Sequence, residues 1–199
     1  MKIKSLLIAS MLLCIALLPQ SFCLFSDKEQ SITLTLHRGN VSGKYGFVDT
    51  NGRVVVPFKY DDAYGFSEGM AKVRMNGKWG YIDKRGKEVI PLKYDDAGPF
   101  YNGLAPVCLN GKYGFINKNG NVVIPFKYDD VGLFNEGLAL VGMNGKYGYI
   151  DKSGKVVIPC KYDYAGKFSD GLASVKLDGR SFYIDKTGKE YVKNIDVKK

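Results

Sequence analysis

The sequence has few of the residue types from which most catalytic and metal sites are built. Its one histidine, His37, excludes most histidine-based triads and histidine-rich metal sites within one chain, unless His37 itself serves. Of its four cysteines, Cys14 and Cys23 lie in the N-terminal apolar stretch. After this stretch the chain contains only Cys108 and Cys160, which form neither a disulfide framework nor the spacing of metal ligands. No glycine motif that cradles a phosphate is present either, so we expect no cofactor.

The charge pattern gives no sign of a nucleic-acid surface. The formal net charge is +9, but acidic and basic residues interleave along the whole chain instead of forming a basic stripe. This pattern is typical of a soluble protein with mixed surface charge, so we expect no nucleic-acid partner. Hydrophobic residues make up 45% of the chain, which is enough for a buried core. The 24 glycines and 14 tyrosines favour strands joined by tight turns.

Residues 1–23 have the features of a signal peptide. Two lysines precede an apolar run from Leu6 to Leu18, and a proline follows the run. The run is shorter than a membrane span, so we expect no transmembrane span after removal of the signal. Lipid attachment at Cys23 is the alternative, although Phe22 is not the small residue that usually precedes a lipidated cysteine. The sequence therefore predicts an exported protein that is periplasmic, at the cell surface or secreted.

From residue 43 onward the sequence repeats with a period of 34 residues. The tetrapeptide Gly77-Lys78-Trp79-Gly80 has a counterpart in every full copy, and prolines, tyrosines and phenylalanines recur at the same step. These recurring residues are Pro57, Pro91, Pro125 and Pro159; Tyr60, Tyr94, Tyr128 and Tyr162; and Phe66, Phe100, Phe134 and Phe168. The array, residues 43–193, divides into copies 43–76, 77–110, 111–144 and 145–178 and a partial, degenerate copy 179–193.

Each copy is predicted to form three short strands. In the second copy these are Lys78–Asp83, Glu88–Tyr94 and Leu104–Leu109. Between the first two strands, an aspartate opens a turn and Gly86 closes it at positive φ, as in a type I turn with a bulge. An Asn-Gly pair then turns the chain into the next copy. Helical repeats of the same length are excluded, because the copy 77–110 carries five glycines and three prolines, which destabilise helices.

The two ends of the array differ from its middle. Residues 24–42 are expected to form an N-terminal capping strand, centred on Ile32–Leu36, that covers the first edge. Residues 194–199 are expected to be a flexible tail. Because the last copy is degraded and does not complement the first, we expect an all-β, open and curved solenoid-like stack. A closed, propeller-like ring of blades is the alternative.

The third strand of each copy has one constant and one variable face. Ala71, Val73 and Met75 lie on one side of the sheet, because side chains two residues apart share a face, and equivalent residues recur in later copies. This side is predicted to be the core. The opposite side varies between copies, so its residues are free of packing constraints and available to a partner. The candidate partner-binding residues are Lys72, Arg74, Leu140 and Lys176.

Once its register is established, the repeat resembles the WG repeat, also called the KWG repeat. The resemblance lies in the stretch Gly77–Pro91, in the Tyr-Asp pair after it and in the Phe-x-x-Gly-x-Ala-x-Val pattern downstream, and it covers residues 43–193. Trp79 is the only tryptophan of the motif, and the other copies carry tyrosine there. The resemblance implies an all-β tandem-repeat protein, typically bacterial and often exported. It implies no catalytic residues, because the family shares none.

Pairs of carboxylates recur as Asp61-Asp62, Asp95-Asp96 and Asp129-Asp130. Two acids can perform general acid–base chemistry, but an active site is assembled once, whereas these pairs recur. We therefore interpret them as side chains that bond the backbone of a turn. The Asp-x-x-Gly turns lack the additional oxygen ligands of a calcium loop, and we expect no metal site.

The recurring aromatic residues have two interpretations. A ladder that packs one copy on the next is favoured, because one residue of each type recurs per step; stacking on sugars is the second. The sequence therefore predicts a non-catalytic protein-binding or scaffold module. The alternative is a module that binds glycan or cell envelope. The partner is accordingly a protein or an envelope glycan, and the sequence does not indicate the oligomeric state.

Overall fold

A computed structural model describes residues 33–39 and 43–191. Within these ranges the chain forms nineteen β-strands and no helix. The predicted signal peptide, residues 1–23, and the predicted tail, residues 194–199, lie outside the described residues. The first seven strands are β1 (Thr35–Arg38), β2 (Tyr45–Val48), β3 (Val54–Tyr60), β4 (Asp62–Ala63), β5 (Met70–Met75), β6 (Lys78–Asp83) and β7 (Glu88–Tyr94).

The pattern of β4 to β7 then recurs three times. The first recurrence contains β8 (Asp96–Ala97), β9 (Leu104–Leu109), β10 (Lys112–Asn117) and β11 (Val122–Tyr128). The second contains β12 (Asp130–Val131), β13 (Leu138–Met143), β14 (Lys146–Asp151) and β15 (Val156–Tyr162). The third contains β16 (Tyr164–Ala165), β17 (Leu172–Leu177), β18 (Arg180–Asp185) and β19 (Glu190–Tyr191).

The strands form five separate antiparallel sheets. Sheet A is ordered β1-β2-β3, and sheets B, C, D and E contain β4 to β7, β8 to β11, β12 to β15 and β16 to β19, each in sequence order. Among the described residues, no sheet closes into a barrel, and no strand from one end of the array joins the sheet at the other end. The open, all-β tandem array that the sequence favoured is therefore confirmed.

The sheets do not coincide with the sequence copies. Sheet B takes β4 and β5 from the copy 43–76, and β6 and β7 from the copy 77–110. The two-residue strand β4 was not predicted, because two residues are too short to show alternation. At the start of the array, the strand expected around Ile32–Leu36 is found at Thr35–Arg38, where it pairs with β2 as β5 pairs with β6.

The hairpin turns follow the predicted chemistry. Asp83 opens one turn, and its Oδ1 atom accepts hydrogen bonds from the backbone N–H groups of Arg85 and Lys87, both at 2.9 Å. Gly86 has a φ of 78°, a conformation that a residue without a Cβ adopts without strain. The short side chain therefore satisfies the backbone while the chain reverses, which is the reason for an Asp-x-x-Gly pattern in this position.

The hydrophobic core is divided into four clusters, each between two consecutive sheets. We call the side of sheet B that carries Tyr81 its front face and the side that carries Ala71 and Val73 its back face. The front face of each sheet packs on the back face of the next. Between sheets B and C, the packed residues include Tyr81, Ile90, Tyr94, Phe100, Ala105, Val107 and Ile116. Ala71 and Val73 are fully buried between sheets A and B, which confirms the predicted core side of this strand.

Aromatic pairs and hydrogen bonds link the consecutive sheets. Tyr81 of sheet B meets Phe100 of sheet C with ring centroids 4.9 Å apart, and its hydroxyl donates to the carbonyl oxygen of Gly98 at 2.7 Å. The same ring pair recurs as Phe47–Phe66, Phe115–Phe134 and Tyr149–Phe168. Such pairs add about 0.5–1.5 kcal/mol each beyond the area they bury. The ladder interpretation of these recurring aromatic residues is therefore confirmed.

The close passage of the first and second strands of each copy explains why a glycine follows the aromatic residue of the motif. A Cβ atom on Gly80 would lie 2.6 Å from the carbonyl oxygen of Ile90 in the neighbouring strand, which is far inside van der Waals contact. In sheet E this position is occupied by Phe182, so the degenerate last copy lacks the motif glycine.

A candidate binding groove

The variable side of the array forms a cavity where sheets B, C and D meet. Its volume is about 340 Å³. Sheet B contributes Lys72 to its lining, sheet C contributes Asp96, Pro106 and Tyr113, and the segment at the start of sheet D contributes Asp130 and Leu133. We call this cavity the groove. Its lining combines apolar side chains with polar ones, among which Lys72 and the two carboxylates provide the charged groups.

Lys72 joins sheet B to sheet C at one end of the groove. Its ammonium group donates to the carbonyl oxygen of Ala97 at 2.8 Å. It also lies 4.0 Å from the ring centroid of Tyr64 and 4.8 Å from that of Trp79, which is within the range of cation–π contact. Burial lowers the pKa of Lys72, because the charged form loses hydration there. Lys72 is therefore a structural residue of the groove wall.

The tryptophan of the motif lies beside Lys72 in a cluster of aromatic and charged side chains. The rings of Tyr64 and Trp79 have centroids 5.9 Å apart. The guanidinium carbon of Arg74 lies 5.3 Å from the centroid of Trp79, and its Nη2 atom lies 3.7 Å from Oδ2 of Asp62. Trp79 is buried, whereas 51% of Tyr64 is exposed. Tyr64 is thus held in place by the cluster and still presents a free aromatic surface.

Each of the two carboxylates of the groove accepts a hydrogen bond from the backbone N–H of the residue that follows it. Oδ1 of Asp96 accepts the N–H of Ala97 at 2.8 Å, and Oδ1 of Asp130 accepts the N–H of Val131 at 2.9 Å. The hydroxyl of Tyr113 donates to Oδ2 of Asp96 at 2.8 Å. This hydrogen bond is the main reason for a raised pKa of Tyr113, because the neighbouring carboxylate disfavours a phenolate. Both carboxylates are exposed and available to a ligand at fixed positions.

The four candidate residues predicted from the sequence do not form one patch. Lys72 and Arg74 lie in sheet B and are engaged as described above. Leu140 of sheet D packs against the cluster between sheets D and E. Lys176 of sheet E is exposed and lies across from Tyr164 in the strand pair β16–β17. Lys72 lines the groove, and the structure places the other three outside its lining.

Tyr64, Asp96 and Tyr113 contribute to the cluster and the groove but were missed as site residues. Tyr64 stands where the later copies have Gly98, Gly132 and Gly166, so variation between copies could have identified it. Asp96 was noted in the sequence and assigned to a turn. Asp96 also faces the groove, because consecutive sheets are stacked there. No pattern in the neighbouring residues of the sequence indicates this stacking.

The first aspartate of each Asp-Asp pair has the structural role that was predicted. Oδ1 of Asp129 forms an ion pair with Lys112 of the same sheet, and its Oδ2 accepts the N–H of Asn144 in the next sheet at 2.7 Å. The lysine hydrogen bond lowers the pKa of Asp129. Asp61, Asp95 and Asp163 have equivalent lysine partners. Within the described residues, no group of three or more histidine, cysteine or acidic side chains is placed to hold a metal ion.

A family model described as a WG containing repeat matches residues 45–79, 79–113, 113–147 and 147–180. The chain belongs to the WG repeat family. The resemblance stated from the sequence is thereby confirmed, and each match begins at the aromatic residue before the motif glycine. This places Trp79, with the cluster around it, at the signature position of the family.

Several solved structures are similar to this WG repeat protein at low sequence identity. A structure titled as the eukaryotic initiation factor has a TM-score of 0.44 and 10% identity, over 81% of this chain and 63% of that one. A Bacteroides caccae protein of unknown function has a TM-score of 0.34 and 13% identity, over 75% and 68% of the two chains. The tricorn protease has a TM-score of 0.27 and 15% identity, over 80% and 20%. A sequence search of curated proteins found no match.

The strands account for all regular secondary structure of residues 33–39 and 43–191. In this part of the chain there is no helix of the length and apolar character that crossing a membrane requires.

Proposed function

We propose that this WG repeat protein is an exported, non-catalytic scaffold that binds a protein partner at the groove. Export is supported by the N-terminal sequence, in which two lysines precede the apolar run Leu6–Leu18. A non-catalytic role is supported by the groove itself, since Lys72 is bonded to the array through Ala97 and Asp96 through Tyr113. These side chains are fixed in position by their neighbours, which suits recognition better than proton transfer.

The observation that carries the proposal is that three consecutive sheets build one groove. In it, Lys72, Pro106 and Leu133 occupy positions that vary between copies, whereas Asp96, Asp130 and Tyr113 occupy recurring ones. Repeat arrays typically bind partners along extended surfaces made in this way. Val131 and Leu133 offer a partly exposed apolar surface, and Asp96 and Asp130 place two exposed carboxylates beside it. A partner segment with apolar side chains next to a basic residue matches this arrangement, because buried apolar contacts supply affinity and charge complementarity supplies orientation.

The test is a pull-down from envelope and culture extracts with residues 24–199 as bait. We expect one discrete protein to be retained. The variant Asp130→Lys reverses an exposed charge of the groove, and Glu88→Lys makes the same change on the opposite edge of the array as a matched control. Retention is expected to fall with Asp130→Lys and to stay unchanged with Glu88→Lys.

Two outcomes would remove the proposal. If the bait retains no protein above background, the scaffold function is wrong. If both variants retain the partner equally well, the groove is not the binding site, even though a partner exists. Circular dichroism of both variants controls for loss of folding.

Binding to an envelope glycan is a second candidate, and specific exposed aromatics favour it. Tyr64, Tyr101 and Tyr164 are 51%, 46% and 57% exposed, and none belongs to the packing ladder. Flat aromatic faces at fixed positions suit stacking on sugar rings. Retention of the protein on cell-wall polysaccharide, lost on Tyr64→Ala, would support this candidate, and failure to be retained would exclude it.

A further inference from the structure

A row of four equivalent lysines follows the edge of the array opposite the groove. Lys59, Lys93, Lys127 and Lys161 lie in β3, β7, β11 and β15, which are the terminal strands of sheets A to D. All four side chains are exposed, and they recur at the 34-residue step of the repeat. We call this row the lysine ridge.

The array neutralises one set of recurring lysines but not those of the ridge. Lys44, Lys78 and Lys112 each form an ion pair with the first aspartate of an Asp-Asp pair, and Lys146 forms one with Asp163 at the equivalent position. Among the described residues, the ridge lysines form no ion pair. Each contacts only the ring of the tyrosine that follows it, at 5.2–5.3 Å from the centroid. Their positive charge is therefore directed to the outside of the array.

The surroundings of the ridge preserve this charge. The four strands that carry it contain one acidic residue, Glu88. The neighbouring exposed positions are occupied by proline and valine, as at Pro91, Val122 and Val156. The tyrosines under the lysines are buried, with at most 2% of their surface exposed. The ridge is thus a line of cations on a rigid edge whose four strands carry a single acidic residue.

We propose that the lysine ridge binds a linear acidic glycan. Stacked sheets lie about 10 Å apart, so one lysine per sheet makes a line of point charges with that spacing. In a linear polyuronate, which carries one carboxylate on each sugar, every second carboxylate recurs at a comparable interval, and this periodicity of the glycan matches that of the array. Lysine suits this role, because its ammonium group is a compact charge without the directional fork of arginine.

Charge and aromatic placement favour a glycan over a nucleic acid. Single-stranded nucleic acids are bound by a basic groove together with exposed aromatic rings on which bases stack. The ridge tyrosines are buried, and the exposed tyrosines Tyr64, Tyr101 and Tyr164 lie outside the four strands of the ridge. The inference concerns a different surface from the groove, and it holds whether or not the groove binds a protein.

The test uses fluorescein-labelled polygalacturonate, a linear acidic glycan, and residues 24–199. Binding is followed by fluorescence anisotropy at low salt, with neutral dextran, single-stranded DNA and polyglutamate as comparison ligands. The ridge variant is K59Q/K93Q/K127Q/K161Q. The matched control is K84Q/K87Q/K155Q/K189Q, which removes the same charge from exposed turn positions.

We expect the ridge variant to bind polygalacturonate about tenfold more weakly or worse, because each exposed ion pair contributes a factor of up to about five. The control variant should change the affinity for polygalacturonate by less than about twofold. In 1 M salt the binding should be abolished, because charges are then screened over about 3 Å. Dextran should not bind.

Three results would overturn the proposal. Equal weakening by both variants would mean that net charge, and not the ridge, attracts the glycan. Equal or tighter binding of DNA or polyglutamate would mean that the ridge does not select glycans. Unchanged glycan binding by a ridge variant that self-associates in gel filtration would mean that the lysines serve only to keep the sheet edges apart.

Discussion

Two buried tyrosines of the array differ in whether the hydroxyl group is hydrogen-bonded, and this difference gives a test of the contact between consecutive sheets. The hydroxyl of Tyr81 donates to the carbonyl oxygen of Gly98 in the next sheet at 2.7 Å. The hydroxyl of Tyr128 is also buried, but it has no hydrogen-bond partner among the residues that the structure describes. Substitution by phenylalanine removes one oxygen atom from each site and leaves the ring in place.

Tyr81→Phe is expected to lower the free energy of unfolding by about 1–2 kcal/mol, because a net hydrogen bond is lost and a carbonyl oxygen is left unpaired. Tyr128→Phe removes a buried polar group that has no partner. It should leave stability unchanged or raise it by up to about 1 kcal/mol. The chain already contains the first change at another interface, since Phe115 occupies the Tyr81 position in sheet C.

The assay is urea unfolding of the two variants and the parent protein at pH 7, followed by circular dichroism. Equal slopes of free energy against urea would show that the midpoints report stability alone. Equal destabilisation by both substitutions, or none by Tyr81→Phe, would refute the reasoning that the Tyr81–Gly98 hydrogen bond couples sheets B and C.

Two further predictions concern the glycine of the motif and the acid–lysine pairs. Gly80→Ala is expected to cost about 1–3 kcal/mol in thermal or urea unfolding, because its Cβ would meet the carbonyl oxygen of Ile90 at 2.6 Å, as in other overpacked sites. Gly65→Ala, where a Cβ meets nothing within 4 Å, should be nearly neutral. The hydrogen bond from Lys78 lowers the pKa of Asp95, so its stabilising contribution is present above the unfolded-state pKa and is lost as pH falls through the folded-state pKa. The urea midpoint should therefore decline below about pH 4, and less steeply in Asp95→Asn; equal declines would contradict this.

The turns and faces were predictable because their causes are local. Asp83 and Gly86 specify a turn through a short acceptor and a residue tolerant of positive φ. Ala71 and Val73 specify a core side through alternation. The turn and the core side are each determined by a few consecutive residues, and the structure shows both at the predicted positions.

The groove was not predictable because its causes are not local. Lys72 was proposed as free for a partner, since its position varies between copies. In the structure its ammonium group bonds Ala97 and lies over two aromatic rings. A position that varies between copies does not take part in the packing that all copies share. Its side chain can be free for a partner, or it can make a contact that is specific to one copy, as Lys72 does. Only the stacking of the sheets shows which of these two applies.

The offset between sheets and sequence copies has a consequence for how the molecule can be divided. A chain segment cut at the sequence boundaries, such as residues 77–110, would contain two strands of sheet B and two of sheet C, and would complete neither. Every copy is therefore interlocked with its neighbours through shared sheets as well as through shared cores. The sheets are bounded by the aspartates after the second predicted strand of a copy, so the repeating unit of the sequence and the unit of the fold are different segments of the same chain.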